Sequence, residues 1–140
     1  MRLLVLVIAN HDPVYDAHWS SWRQTMVGRH PSVDVYFLVG NPSQAEAVVV
    51  DEATRCVSIR VEETLIPGIT IKTIEGLRWM VEHRREVGYT HVLRTNMSSV
   101  WHWPRLLKRL PVVPTDSPAL GASYSGTRYS GPSCRGRASS

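Results

Sequence analysis

The chain has 140 residues, 43% of them hydrophobic and 20% charged, which predicts one globular domain with a real core and excludes a disordered or fibrous chain. Its net charge of +4 is carried in separate places, Arg84-Arg85, Arg105/Lys108/Arg109 and Arg128, Arg135 and Arg137. That spread suits an anionic small molecule and speaks against nucleic acid, which calls for one dense basic stripe.

Residues 3–9 (LLVLVIA) are continuously apolar and branched, as expected of a strand covered on both faces of a parallel sheet. The run imitates a signal peptide, but it stops at Asn10-His11-Asp12 without a small-residue cleavage site. No stretch approaches the ~20 apolar residues that cross a bilayer, so no membrane span is expected. The turn Asn10-His11-Asp12-Pro13 ends the strand, and Trp19, Trp22 and Met26 then recur at helical spacing over 16–27, with Gly28 as the stop. Residues 33–39 (VDVYFLV) predict a second strand, closed by Gly40-Asn41-Pro42. Residues 47–50 and the alternating 55–61 (RCVSIRV) predict two further strands.

Glu62-Glu63-Thr64 leads through Pro67-Gly68 into a long helix ending at Gly88. Its apolar face is predicted as Ile71, Ile74, Leu77 and Trp79-Met80-Val81, its outer side as Glu75, Arg78, Glu82 and Arg85. Residues 89–93 (YTHVL) predict the next strand, 94–99 (RTNMSS) the loop after it, and Trp103-Pro104 the start of a short helix through Leu110. Pro111, Pro114 and Pro118 then interrupt the pattern, although 119–124 can pair as one strand. Composition divides the chain into an α/β domain over 1–124 and a Ser/Gly/Arg-rich tail over 125–140, for which disorder is expected. Cys56 and Cys134 form no CxxC pattern and no zinc-like spacing, which predicts a reduced, cytoplasmic setting.

Strand–helix–strand units predict a parallel sheet with right-handed crossovers, in which ligands sit beyond the carboxyl ends of the strands. That rule selects four loops: 10–15, 40–43, 62–67 and 94–99. In the last, Arg94, Asn96 and Ser98 offer one cation and two neutral ligands, the kind of set that can hold a phosphate or, weakly, a metal; a polar loop capping the next helix is the alternative. Glu62 and Glu63 are candidates for activating a hydroxyl, or are simply favourable near the positive end of a helix. Lys72 can reach a phosphate or be an ordinary solvated helix lysine. Asn10, His11, Asp12 and Tyr15 stand where a base or ribose would bind, though Asp12-Pro13 is also a good turn. Trp101 and Trp103, beside the polar loop, can stack on a sugar or base, whereas the other tryptophans belong to the core. No glycine-rich dinucleotide fingerprint or phosphate loop is present.

Taken in order, the segments Tyr15 to Met26 with Trp22-Arg23, then Tyr36-Phe37-Leu38-Val39-Gly40, then Glu63 through Pro67-Gly68 to Lys72-Thr73, then Val92-Leu93-Arg94-Thr95-Asn96-Met97-Ser98-Ser99 resemble glycosyltransferases of large DNA viruses and some microbes. Those are distantly similar to the β-1,3-galactosyltransferase type. The resemblance spans residues 3–110 and implies a GT-A-like (Rossmann-like) α/β fold with a mostly parallel sheet flanked by helices. It implies transfer from a nucleotide-diphosphate sugar to a glycan or protein acceptor, in the host cytoplasm if the source is viral. Donor-binding positions would be Asn10, His11, Asp12, Tyr15, Lys72, Arg94, Thr95, Asn96, Ser98, Ser99 and Trp101, with Glu62 and Glu63 as catalytic candidates. Where the galactosyltransferases carry Asp-x-Asp for a divalent metal (manganese or magnesium), this chain has Asn96-Met97-Ser98, so the ligand set does not carry over. The relatives also continue further, and a C-terminally truncated product is the expectation, which leaves a nucleotide-sugar-binding module without turnover as the alternative.

Overall fold

The computed structural model describes residues 1–110; the predicted strand at 119–124, the tail at 125–140, the domain boundary at 124 and Cys134 lie outside the described residues. The elements follow in the order β1 (Leu3–Ile8), α1 (Asp16–Thr25), β2 (Val33–Gly40), β3 (Val48–Asp51), β4 (Cys56–Ile59), α2 (Gly68–His83), β5 (His91–Asn96) and α3 (Trp103–Arg109). Five strands form one sheet in the order β3-β4-β2-β1-β5. β1 is parallel to β2 and to β5, and β2 is parallel to β4, while β3 runs antiparallel to β4. The sheet is therefore mixed but mostly parallel, and the fold is α/β.

All six residues of β1 are buried, because helices cover both faces of this interior strand. Leu3, Val5 and Val7 join Trp22 of α1 and Trp103 and Leu106 of α3 in one core. Leu4, Leu6 and Ile8 join Leu38, Val57, Ile59 and Trp79 of α2 in the other. The continuous apolar run that predicts the strand is thus two alternating faces read together.

The helix predicted to end at Gly88 stops at His83, with a separate 3-10 turn over Arg85–Val87, and two further predictions differ from what is observed. The residues of α2 that turn inward are Gly68, Lys72, Gly76 and Trp79, whereas Ile74, Leu77 and Val81 of the predicted face are exposed. Isoleucine, leucine and valine occur on most sides of this helix, so apolar periodicity alone does not select the buried face. Close approach does. A Cβ on Gly76 would lie 2.7 Å from Cδ1 of Leu38, so the helix sits against β2 where it has no side chain. The second difference is at β5, which runs on through Arg94, Thr95 and Asn96, residues predicted as loop. Their backbone pairs with Leu6, Val7 and Ile8 of β1. As an edge strand β5 tolerates polar side chains that a central strand would reject.

Candidate functional site

The chain passes from β1 to its neighbour β2 on one side and, after β4 and α2, returns to β5 on the other side of β1. The carboxyl ends of β1 and β5 therefore diverge at a topological switch point, the place where open α/β sheets bind ligands. A crevice of about 380 Å³ lies there. Ile8, Ala9, Asn10 and Tyr15 contribute one wall, Asn96, Met97 and Ser98 another, and Glu63, Thr64, Leu65, Ile69 and Lys72 the third.

Each wall has a local cause. Asn10 Oδ1 accepts the Asp12 N–H at 2.8 Å, and Asp12 Oδ1 accepts the Val14 N–H at 3.0 Å, capping a short 3-10 turn over Pro13–Tyr15. The Asn10 carbonyl accepts Trp19 Nε1–H at 2.8 Å, and the His11 ring stacks on Trp19 with centroids 5.2 Å apart. The turn after β5 is held from the α1 side, where Trp22 Nε1–H donates to the Met97 carbonyl at 2.7 Å. The Ser99 N–H closes that turn onto the Asn96 carbonyl at 3.1 Å.

The floor is an ion pair whose cation is buried. Lys72, only 1% exposed, donates from Nζ to the Ala9 carbonyl at 2.9 Å and to Glu63 Oε2 at 2.7 Å. The other oxygen of Glu63 accepts the Gly40 N–H. The pair thereby ties the ends of β1 and β2 to the start of α2. A Cβ at position 40 would lie 2.7 Å from the Val61 carbonyl oxygen and 2.9 Å from Glu63 Oε1, so glycine is required for that closeness. Ammonium ions have three donors, and two of the three on Lys72 are accounted for by these contacts.

Of the predicted site residues, Asn10, Tyr15, Glu63, Lys72, Asn96 and Ser98 come together in the crevice. His11, Asp12, Glu62 and Ser99 flank these residues in the chain without lining the crevice. Arg94 shares a sheet face with Asn96, one pleat further from the carboxyl end, and makes no ion pair among the described residues. Thr95 points to the opposite face, where its Oγ1 accepts Trp101 Nε1–H at 3.1 Å, and Trp101 packs against the α1/α3 core. Trp103 is buried there too, donating to the Met26 carbonyl at 3.0 Å. Neither tryptophan lines the crevice. The loop at 40–43 does not line it either, since its first N–H is taken by Glu63. Ile8, Ala9, Thr64, Leu65, Ile69 and Met97 are wall residues that sequence reading did not single out. Their position at strand ends and on the 62–67 loop was the available signal.

The donor set does not suit the divalent metal that the resemblance implies. Such a cation wants about six oxygen ligands, with carboxylates among them. Among the described residues Glu63 is the one carboxylate in the crevice wall, and its charge is matched by an ammonium 2.7 Å away. Asn96 and Ser98 are neutral, and Met97 between them is buried in the α1/α3 core. Among the described residues no cluster of three His, Cys, Asp or Glu is placed to hold a metal ion. Among the same residues no helix is long and apolar enough to cross a membrane. Comparison with known protein families, with curated proteins and with solved structures finds no match for this chain.

Proposed function

We propose that this domain binds a nucleotide-diphosphate sugar and forms the donor half of a glycosyltransferase. One observation carries the reading: Asn10 and Tyr15, Lys72, and Asn96 and Ser98, from three distant segments, line one crevice at the switch point of the sheet. Amides, a phenol and hydroxyls suit ribose and sugar hydroxyls, and the two strand ends lie where a donor would be drawn across the sheet. Arg94, on the Asn96 face of β5, is the nearby cation left for a phosphate.

A second reading, binding without turnover, is favoured by the state of Glu63. Transfer breaks the bond between the sugar and the diphosphate and needs a group to take the acceptor's proton. Glu63 is committed to Lys72 and to the Gly40 N–H, so it serves the crevice as a strut. Glu62 does not line the crevice.

Calorimetric titration with UDP, GDP and their sugars, with and without manganese, tests both. Nucleotide binding in the micromolar range with no sugar release supports the binding module; sugar release on adding acceptor supports the transferase. No heat with any nucleotide sinks both. Asn96→Ala should weaken nucleotide binding about tenfold, the worth of one or two lost hydrogen bonds. Lys108→Ala, on an exposed part of α3, should leave it unchanged.

A further inference from the structure

A second cavity, of about 310 Å³, lies between the end of α2 and the β3–β4 hairpin and shares no lining residue with the crevice. Its walls are Val48 and Val50 of β3, Trp79 of α2, and Glu52, His83 and Arg84. That volume is at the low end of small-ligand pockets. Two guanidinium groups meet beside it. Arg84 lies over the Trp79 ring at 5.5 Å and over the Tyr36 ring at 5.6 Å, and Arg55 lies over Tyr36 at 5.2 Å. Arg55 Nη1–H also donates to Tyr36 Oη at 2.8 Å. Tyr36, only 1% exposed, gives both cations a fixed backing.

What these groups hold is a carboxylate. Glu52 Oε2 accepts the Tyr36 hydroxyl at 2.9 Å and lies 3.9 Å from Arg55 Nη1, while Glu52 Oε1 pairs with Arg84. The donors are spaced for a carboxylate, because one from the chain itself fits them. Glu52 is a replaceable occupant. It sits on the turn between β3 and β4 with its side chain 52% exposed, so rotation about its own bonds returns it to water. Arg55, on the same turn, has φ at 58°, a left-handed value that residues other than glycine rarely adopt. Backbone of this kind persists where its surroundings fix it, and it gathers at ligand clamps.

Charge and wall chemistry select the ligand. Two guanidinium groups share the one Glu52 carboxylate, so the cluster repels a cation and attracts an anion. The neighbouring acid, Asp51, is turned into its own loop, where its carboxylate accepts the Ala53 and Thr54 N–H groups. Val48, Val50 and Trp79 offer an apolar lining, and an indole face suits a ring. We propose that this cavity binds a small carboxylic acid with an aromatic body, whose carboxylate replaces that of Glu52 on Arg84 while Trp79 and the two valines cover the ring. The proposal goes beyond the donor reading of the crevice and does not depend on it.

Calorimetric titration of the full chain with benzoate, benzamide and acetate tests it. Benzoate should bind in the millimolar range, and benzamide, without the charge, and acetate, without the ring, should bind at least about tenfold more weakly. Glu52→Gln should tighten benzoate about tenfold, because the competing charge is gone. Arg84→Met should abolish benzoate binding. If that variant does not melt like the parent, Arg55→Gly, which suits the left-handed backbone, should weaken benzoate by about threefold or more. No saturable binding of benzoate by the parent, benzamide as tight as benzoate, or an unchanged affinity in the arginine variants overturns the proposal. So does benzoate binding by the Glu52→Gln variant alone, since Glu52 is then a permanent partner of the arginines.

Discussion

On the α1/α3 face of the sheet, the polar atoms taken into the core include two indole N–H groups, Trp22 on the Met97 carbonyl and Trp103 on the Met26 carbonyl. On the α2 face the corresponding group is the Lys72 ammonium, paired with Glu63 and set on the Ala9 carbonyl. The Trp22 and Lys72 contacts both reach the crevice, one holding the turn after β5 and the other the end of β1. They differ in what happens when half is removed. An indole and a carbonyl are neutral, so the loss is one hydrogen bond and some volume. A buried ammonium without its carboxylate is an uncompensated charge. The neutral face can be trimmed, and the charged face has to be altered in pairs.

The largest expected effect follows from that asymmetry. Glu63→Gln should destabilise the domain by about 3–5 kcal/mol in urea unfolding, because the buried Lys72 ammonium is left without its carboxylate. Adding Lys72→Met should recover at least about 2 kcal/mol, since no buried charge then remains and the amide oxygen at position 63 can still accept the Gly40 N–H. If the double variant is as unstable as the sum of the single ones, the pair is not coupled and the contrast between the faces fails. Trp22→Phe on the other face should cost about 2 kcal/mol, for a buried Met97 carbonyl left without its donor.

Gly76→Ala sharpens the comparison, because it tests fit on the α2 face with no change of charge. The added methyl meets the fully buried Leu38, which costs about 1–3 kcal/mol of overpacking, partly offset by about 1 kcal/mol of better helix propensity. A net loss near 1 kcal/mol is expected, and a gain would mean α2 can move off the sheet. The smallest effect belongs to Tyr89, which packs against the α2-face core and donates to Asp34 Oδ2 at 2.7 Å. Burial, and then the Asp34 carboxylate, push its phenol well above its ordinary value of 10.0. The unfolded chain therefore ionises first as pH rises past about 10, and stability conferred by the neutral phenol is lost above that pH and intact below it. Tyr89→Phe should flatten the fall in unfolding free energy between pH 9 and pH 11 relative to the parent, and an identical slope would count against the assignment.

Much of this was readable beforehand, for identifiable reasons. β1 and β2 stand out because a strand covered on both faces needs an unbroken apolar run. The crevice loops could be selected from strand order alone, and Asn10, Tyr15, Lys72, Asn96 and Ser98 do meet there. Trp101 and Thr95 were misleading because alternation along β5 sends Thr95 to the face opposite Asn96, and the chain reads as a loop until its pairing with β1 is known. Lys72 was ambiguous because a lysine on a helix is ordinarily solvated. Only its distance of 2.9 Å from a strand-end carbonyl reveals that it is a core residue.

What the amino-acid sequence determined by itself is the alternation of strands and helices, and the end of the sheet at which the crevice lies, since both follow from local periodicity and chain order. Tertiary structure alone decided which side of α2 turns inward, which oxygens Lys72 and Glu63 engage, and that Asn10, Lys72 and Asn96, from three separate segments, line one crevice. The reason is physical. Periodicity reports what a residue does relative to its own axis, whereas burial, charge pairing and the shape of a mouth depend on distances between segments far apart in the chain.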